Sequence, residues 1–264
     1  MKVNANEYIE LIVNQVHNKI IQHTIQLWIL KEGKIKPYGT GVFFSIKGIY
    51  FIFSAGHVLK YLEENEDEHL FIKIGTQFTN ILGNISFLLH EESKLDFGYI
   101  MLDKQMENCL NEYYKSLKIT DTSDLNTQMQ VMNFGVLGYS EIDFLDKENP
   151  LSTFPTFYLT DLAKDNIYEH YRFDKNHFII TNFKGKGRYL NNGMSDTIIK
   201  MPSHFHGISG GGLWYFKIEP SGEVSYKLIG LMTEYRKSKF YCLISIKIGF
   251  ILGLIHEKEN IEIK

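Results

Sequence analysis

Cysteine is scarce in this 264-residue sequence, which contains only Cys109 and Cys242. Two cysteines are too few for the disulfide framework that holds small secreted domains together. The N-terminus also lacks a basic flank followed by a continuous apolar run, which is the pattern of a secretory signal. We therefore expect an intracellular, cytoplasmic protein in which both thiols are buried and inert.

The sequence has no long hydrophobic run and no excess of one charge. Its longest apolar stretch, residues 243–255, is interrupted by Lys247 and is shorter than the roughly 20 residues that span a bilayer. Lys and Arg number 28, Asp and Glu number 31, and the formal net charge is −3. A chain this close to neutral has no overall field that attracts nucleic acid or an anionic membrane. We expect neither as a partner, and we expect no cofactor.

Proline is also rare, at five residues, whereas aromatic residues make up 14% of the chain, with 19 Phe and 16 Tyr. Together with 44% apolar residues, this composition excludes a disordered, collagen-like or coiled-coil protein. Aromatic side chains favour the pleated, half-buried surfaces of sheets over helices. The composition therefore predicts a folded protein that is rich in β-structure.

Hydrophobic spacing predicts the elements of the first half. Residues 6–22 place apolar side chains at helical spacing, which predicts an N-terminal amphipathic helix that braces the fold. Short apolar runs separated by turn signals predict six strands, at residues 24–30, 39–46, 49–54, 70–74, 81–89 and 97–102. This density of strands predicts a closed or nearly closed barrel, followed by a helix within residues 104–117.

The second half repeats this β-rich character after a polar linker at residues 120–128. Strand-like runs occupy residues 131–139, 157–159, 177–181, 212–218 and 226–232. Residues 141–201 are weakly periodic, which predicts long loops between short strands. A terminal helix is predicted at residues 243–258. We divide the chain into an N-terminal helical segment, a first β-barrel, a second β-barrel and a C-terminal helix with its tail, at residues 1–23, 24–120, 121–242 and 243–264.

The segment most typical of catalysis is the glycine-rich turn at residues 207–212, which contains Ser209 and precedes an apolar strand. A nucleophilic serine needs its oxygen exposed on a tight turn, and it needs backbone N–H groups that converge on the oxyanion it creates. Glycine on both sides of the serine permits this backbone geometry. For the segment taken alone, a glycine-rich turn with an incidental serine is the alternative interpretation.

Two further residues at strand ends give this turn a context. His57 follows the predicted strand 49–54 in the sequence Ser-Ala-Gly-His, whose small residues let the backbone pack closely around an imidazole. Asp96 begins another apolar strand. A lone His is usually a polar residue with its hydrogen bonds satisfied, and an Asp at the head of a strand is usually a cap. The ordered set His57, Asp96 and Ser209 is much less readily explained by chance.

These three motifs resemble those of the chymotrypsin-like (trypsin-fold) serine peptidases, in which His, Asp and Ser follow in this order. The sequences SAGHV, LDFGYIML and GISGGGLW are similar to the family's three blocks, and the resemblance covers residues 24–256. It implies an all-β-dominated fold of two six-stranded antiparallel β-barrels with an N-terminal and a C-terminal helix. It also implies a triad in which His57 is the general base, Asp96 orients it and Ser209 attacks the scissile carbonyl. The N–H groups of Gly207 and Ser209 would form the oxyanion hole.

The resemblance also implies a set of substrate-binding residues. The floor of the specificity pocket falls on Ser203, a neutral residue that argues against a strong preference for Arg or Lys. Thr233, Glu234 and Tyr235 fall on the strand that pairs with the substrate backbone. Glu234 or Tyr235 would narrow the pocket, which favours a bulky neutral or aromatic residue before the cut. His206 is expected to line the cleft.

The sequence departs from the secreted members of this family at Ile208. In those members an Asp stands at this position and pairs with a new N-terminus made by proteolysis. Isoleucine forms no such ion pair, so we expect an enzyme that is not activated by trimming its N-terminus. A free endopeptidase is hazardous inside a cell, which predicts a gate formed by residues 141–200 or by a regulatory protein.

Three other interpretations compete with an intracellular serine endopeptidase. The turn also satisfies the Gly-x-Ser-x-Gly elbow of α/β-hydrolases, but that fold needs an Asp and a His after the serine, and only His256 follows. His204 and His206 have the spacing of two zinc ligands on one face of a strand, but no third or fourth ligand lies nearby in sequence, and we expect no metal. A catalytically inactive trypsin-fold protein that binds peptides or acts as a regulatory module is the main alternative.

Overall fold

The computed structural model describes residues 5–64, 69–124, 133–139, 155–183, 186–189, 198–200, 206–219 and 221–263. Strands dominate this part of the chain and form two antiparallel sheets, with helices at both ends. The β-rich fold expected from the aromatic composition is therefore confirmed. None of the helices in the described ranges is long and apolar enough to cross a bilayer.

The N-terminal brace is helix α1 (Ala5–Asn18), which a 3₁₀ turn (Ile20–His23) connects to the first strand. Ile12, Val13 and Val16 lie on one face of α1 and are fully buried. They belong to a core cluster that also contains side chains of both sheets. The amphipathic spacing thus predicts this helix correctly, although the α-helix ends earlier than the apolar pattern does.

The first sheet consists of β1 (Thr24–Lys31), β2 (Lys34–Ile46), β3 (Ile49–Ser54), β4 (Leu70–Ile74), β5 (Gln77–Asn80), β6 (Gly83–His90) and β7 (Leu95–Leu102). Their order in the sheet is β5-β4-β1-β2-β3-β7-β6. The edge strands β5 and β6 do not pair with each other among the described residues, so a closed first barrel is not confirmed. Two helices belong to this half, α2 (Gly56–Glu64) and α3 (Lys104–Tyr113).

Two elements of the first half have no counterpart among the sequence predictions. Strand β5 is formed by the polar residues QFTN, which lack the apolar alternation that marks a half-buried strand. It folds back on β4 because Gly75 adopts φ +60°, a left-handed conformation that suits a tight turn. Helix α2 begins one residue before His57, directly after strand β3.

The second sheet contains a closed six-stranded antiparallel barrel, as predicted for this half. Its strands are β8 (Asn133–Gly138), β9 (Thr156–Leu162), β10 (Phe178–Phe183), β13 (Gly212–Ile218), β14 (Val224–Lys237) and β15 (Tyr241–Lys247). The ring closes because β10 pairs with β15 on one side and with β9 on the other. Two short strands, β11 (Lys186–Tyr189) and β12 (Ile198–Lys200), extend the sheet from β9, and helix α4 (Asp165–Tyr171) connects β9 to β10.

The predicted helix at 243–258 is wrong in its first part. Residues 241–247 form β15, and the terminal helix α5 (Ile248–Glu259) begins only after it. Leu243, Ile244 and Ile246 are all fully buried, because β15 is covered on both faces. A strand that is apolar on both faces cannot be told from a buried helix by periodicity alone. The second barrel therefore extends to Lys247.

The two halves share a hydrophobic core. One buried cluster contains Phe44 and Phe53 from the first sheet and Trp214 from the second, together with residues of α1 and α5. Parallel bridges between Phe44 and Leu117, and between Thr122 and Leu228, also join strands to the segment that connects the halves. Burial of a large apolar side chain contributes roughly 1.5–3 kcal/mol relative to exposure, so this shared core fixes the halves against each other.

Candidate active site

His57 and Asp96 are joined by two hydrogen bonds, although they lie on different elements. His57 is the second residue of α2, and its backbone N–H donates to Asp96 Oδ1 over 2.8 Å. Its ring Nδ1 lies 2.6 Å from Asp96 Oδ2. A carboxylate only accepts, so Nδ1 carries the proton in this contact and Nε2 presents a lone pair in the neutral ring. The His57 side chain is 47% exposed and that of Asp96 is 22% exposed, so the imidazole is accessible while its partner is sheltered.

Glycines around this pair keep the necessary space open. A Cβ atom at Gly56 would lie 3.1 Å from Asp96 Oδ1 and 3.0 Å from the Phe97 carbonyl oxygen. At Gly98 a Cβ atom would lie 2.8 Å from Leu59 Cδ1, which is closer than side chains tolerate. Glycine at both positions lets α2 lie against β7. The Asp96 carboxylate then meets the N-terminus of α2, where unpaired N–H groups stabilise negative charge.

Ser209 lies on a tight turn whose glycines have left-handed backbone. Gly207 has φ +89° and Gly210 has φ +90°, both in the region that L-residues rarely adopt. The turn is closed by Gly211 N–H, which donates to the Ile208 carbonyl over 2.8 Å. It is attached to β14 by Gly210 N–H, which donates to the Met232 carbonyl over 2.7 Å. Ser209 itself is partly exposed.

Ile208 anchors the same turn from the inside. Its side chain is fully buried in a cluster that includes Val136 and Leu213 of the second barrel. Gly138 gives it room, since a Cβ atom there would lie 3.0 Å from Ile208 Cγ2. Hydrophobic burial thus holds the turn at the position where the secreted peptidases resembled by this sequence carry an Asp.

Thr40 of β2 attaches the first half to the serine turn. Its N–H donates to the Ser209 carbonyl over 3.0 Å, and its Oγ1 donates to the Gly207 carbonyl over 2.6 Å. The same Oγ1 accepts from Tyr139 N–H over 2.9 Å. Ser54 Oγ, three residues before His57, donates to the Thr40 carbonyl over 2.7 Å. These bonds attach the end of β3, three residues before His57, to the serine turn.

Thr40 and Ser54 were not among the site residues predicted from the sequence. Both side chains are fully buried. The sequence does contain one indication of a special role for Thr40, because it is a polar residue between two glycines inside an apolar strand. A buried hydroxyl needs hydrogen-bond partners, and flanking glycines allow another backbone to approach closely.

Two further expected features of the site concern Ser209 Oγ and the N–H groups of Gly207 and Ser209. Within the described part of the chain, no hydrogen bond joins Ser209 Oγ to His57. In the same residues, the N–H groups of Gly207 and Ser209 donate to no protein carbonyl. Catalytic hydrogen bonds are commonly long in unliganded enzymes and shorten when substrate binds.

The predicted substrate-binding strand pairs with described strands on both sides along only part of its length. Beyond Leu231, β14 no longer pairs with β13, whereas Glu234 and Tyr235 still pair with β15 on the opposite side. The register shifts between Met232 and Glu234, and Thr233 at this bulge is buried. The backbone of residues 234–237 therefore has one edge that no described strand occupies. An extended peptide pairs with such an edge by strand addition.

Glu234 places a second carboxylate near Asp96. Burial raises the pKa of Glu234, and repulsion by Asp96 raises it further. Arg236 opposes both effects through an ion pair, with its Nη2 2.5 Å from Glu234 Oε1. Next to it on β14, burial raises the pKa of Tyr235 to about 12. On this strand, Glu234 therefore lies near the Asp96 carboxylate, whereas Tyr235 packs against a buried cluster of the second barrel.

Other predicted residues lie elsewhere. Ser203 and His204 lie outside the described residues, and His206 is exposed at the start of the serine turn. No group of three His, Cys, Asp or Glu side chains within the described ranges has the arrangement of a metal site. Cys242 is a buried free thiol whose pKa is raised by burial to about 12, as expected for an inert thiol. Cys109 is also free, but it is only partly buried.

No protein family and no curated protein matches this chain. Support for a function therefore comes from the arrangement of these residues alone.

Proposed function

We propose that this protein is a serine endopeptidase that hydrolyses peptide bonds through an acyl-enzyme intermediate, with His57, Asp96 and Ser209 as its triad. The observation that carries the proposal is the pair of hydrogen bonds from His57 to Asp96. Thr40 attaches the serine turn to the half of the chain that contains this pair. The pair orients an accessible imidazole, and the bonds of Thr40 attach a partly exposed serine on a glycine turn to the same half, which is the set of groups that acyl transfer requires.

The mechanism follows from the roles of the atoms. His57 Nε2 accepts the proton of Ser209 Oγ as that oxygen attacks the scissile carbonyl carbon. The Nδ1–H bond to Asp96 holds the ring in the required tautomer and stabilises the imidazolium that forms. His57 then donates the proton to the leaving amine. A water molecule repeats the sequence to release the acid from Ser209.

The oxyanion of each tetrahedral intermediate would be stabilised by the N–H groups of Gly207 and Ser209. Both belong to the turn fixed by Thr40 on one side and Met232 on the other. Because the donors are fixed in advance, they need no reorganisation during the reaction. One donor of this kind typically contributes about 2.7–4 kcal/mol of transition-state stabilisation.

The substrate would be an extended peptide added to the open edge of β14. Main-chain hydrogen bonds to residues 233–235 supply affinity for any sequence, and side-chain pockets supply selectivity. The resemblance implies Ser203 as a neutral pocket floor and Glu234 or Tyr235 as the residue that narrows the pocket, so a bulky neutral or aromatic residue before the cut is preferred. Residues 141–200 or a regulatory protein would gate access, and the protein would act in the cytoplasm.

Hydrolysis of a peptide library tests this proposal. The wild-type chain and Ser209→Ala are incubated with the same library, and the products are sequenced by mass spectrometry. Cleavage by the wild type alone, mainly after bulky neutral residues, supports the proposal, and selectivity for Arg or Lys contradicts the predicted pocket. Peptide binding without turnover by the wild type would instead support the inactive, peptide-binding alternative.

A further inference from the structure

Lys94 connects the two halves within two residues of Asp96. It lies in the turn between β6 and β7, in a left-handed conformation with φ +57°. Its side chain leaves the first sheet and donates from Nζ to the carbonyl oxygens of Tyr171 and Arg172, the latter over 3.2 Å. The same Nζ lies 4.5 Å from the centre of the Phe173 ring.

The acceptors of Lys94 are the last carbonyls of helix α4. Such carbonyls have no partner within their own helix, and the C-terminus of a helix attracts positive charge. Helix α4 is itself held firmly to the second barrel. Tyr171 Oη donates to the Phe240 carbonyl over 2.9 Å and contacts Ser238 Oγ at 2.8 Å. Phe173 packs edge-on against Phe178 of β10, with ring centres 4.8 Å apart.

Among the described residues, the hydrogen bonds that join the turn at residues 91–94 to the second half are those of Lys94. Strand β6 is an edge strand that pairs only with β7, and several of its side chains are exposed. Within the turn itself, Ser93 bonds to His90 and Lys94 N–H donates to the Glu91 carbonyl. These local bonds shape the turn but do not fix its position relative to the serine turn.

We propose that Lys94 is a positioning residue, which holds Asp96 and therefore His57 in place relative to Ser209 by capping the C-terminal end of α4. The chain of contacts runs from the turn between β14 and β15 through Tyr171 to Lys94, and from there along two residues to Asp96. A cation is suited to the task because one ammonium group satisfies two carbonyls and the face of a ring together. For its kinetic consequence the inference rests on the proposed function.

Charges around Lys94 agree with this arrangement. Burial lowers the pKa of Lys94, and the nearby cations Arg236 and Arg172 lower it further, while Glu234 raises it. Glu234 in turn interacts with both Lys94 and Asp96. The ammonium group therefore lies in a cluster of charges that spans the boundary between the halves. We expect its substitution to change the electrostatic environment of Asp96.

The test compares Lys94→Met, which keeps the apolar stem but removes the donors, with Lys94→Arg, which keeps a cation with several donors. Lys175→Met is the matched control. Lys175 also lies over an aromatic ring, 5.4 Å from the centre of Tyr168, and pairs with Asp165, and both of these contacts are within the second half. If Lys94→Met does not fold, Lys94→Gln, with a neutral N–H donor, replaces it in both measurements.

The first readout is hydrogen exchange at the His57 amide, which needs no enzymatic activity. The Met106 amide is an internal reference, because it also donates to an Asp carboxylate at a helix N-terminus, over 2.7 Å. We expect Lys94→Met to lower protection of the His57 amide about tenfold relative to that of Met106. Lys94→Arg and Lys175→Met keep the wild-type ratio. An unchanged ratio in Lys94→Met overturns the inference.

The second readout is the rate at which a fluorophosphonate labels Ser209. Misplacement of a catalytic group by about 1 Å can cost up to roughly a hundredfold in rate, so Lys94→Met should label at least about tenfold more slowly. Lys94→Arg should restore the rate to within about threefold of the wild type. Wild-type labelling by Lys94→Met contradicts the inference. A wild type that is not labelled at all refutes the proposed activity instead, and the exchange ratio still tests the position of Asp96.

Discussion

The hydroxyl of Thr40 donates to the carbonyl of Gly207 over 2.6 Å, although 167 residues separate the two. Thr40 lies in the half that carries His57 and Asp96, and Gly207 begins the turn that carries Ser209. This single side chain therefore joins the base and the nucleophile of the proposed triad. The catalytic geometry depends on how the halves are held together as much as on the three residues themselves.

Thr40→Val should destabilise the protein and slow any reaction at Ser209. Valine has nearly the same shape, but it leaves the Gly207 carbonyl and the Tyr139 N–H without their buried partner. A buried polar group without a partner costs roughly 1–3 kcal/mol. Thr40→Ser keeps the hydroxyl and is the control, measured by urea unfolding of both variants. Equal stability of the valine and serine variants would show that these bonds contribute nothing.

Gly210→Ala should be much more harmful than Gly222→Ala. Both glycines have nearly the same left-handed backbone, with φ +90° and φ +89°, so alanine brings the same strain to each. A Cβ atom at Gly210 would collide with the Thr40 carbonyl oxygen and Ser54 Oγ, whereas nothing lies within 4 Å of one at Gly222. The difference in unfolding free energy, expected to exceed about 1 kcal/mol, measures this close approach. Similar losses in both variants would show that the turn does not pack against Thr40.

Asp96→Asn should nearly abolish activity while the protein stays folded. The amide cannot accept from both the His57 backbone N–H and Nδ1–H as the carboxylate does, so the ring loses its tautomer. In enzymes with this triad, the equivalent change lowers kcat by about 10⁴. Asp103→Asn is the control, because Asp103 also caps a helix, α3, but lies outside the site. Comparable activity losses in the two variants would assign Asp96 a purely structural role.

His23 should make stability depend on pH. It is buried at the junction of the halves, with Nδ1 2.5 Å from the Lys115 carbonyl oxygen. Burial lowers its pKa from the ordinary value of 6.5, against smaller raising effects of that bond and of Asp121. The unfolded chain therefore binds a proton first as the pH falls. The stability that depends on neutral His23 is fully present above pH 6.5. It decreases as the pH falls from that value toward the lowered pKa of the folded state, by up to about 1.4 kcal/mol per pH unit.

His23→Gln isolates this effect, because the amide can donate to Lys115 but does not titrate. Unfolding free energies of the wild type and the variant are compared at about pH 7.5 and about pH 5.5. The wild type should lose more stability on acidification than the variant. Parallel losses in both proteins would exclude His23 as the source.

The His57–Asp96 pair could be predicted from sequence because each residue stands at the end of an apolar strand, where an exposed polar side chain is easily recognised. The serine turn was predictable for the same kind of reason, since its glycines need left-handed backbone at 207 and 210. Five of the six strands of the closed second barrel also coincide with predicted apolar runs, whereas β15 does not. These features are local, and local patterns are what a single sequence displays.

Contacts between distant segments could not be predicted in this way. Lys94 has ordinary sequence surroundings, and the glycines beside Thr40 indicate a close approach without identifying its partner. The partners of both residues become visible only when the two halves are packed together. Strand β15 was mistaken for part of a helix because both of its faces are buried. The chain order of His, Asp and Ser is consistent with the proposed triad. The order alone does not indicate which contacts hold the two halves together.

The most direct test of the proposed triad is the site of fluorophosphonate labelling in the folded, full-length chain. Fluorophosphonates react with activated serines, so intact-mass and peptide mass spectrometry identify both the number and the position of the adducts. The account predicts one adduct per chain, on Ser209, which is lost in Ser209→Ala and in His57→Ala although both variants remain folded. A folded wild-type protein without an adduct, or with its adduct on another residue, would contradict it.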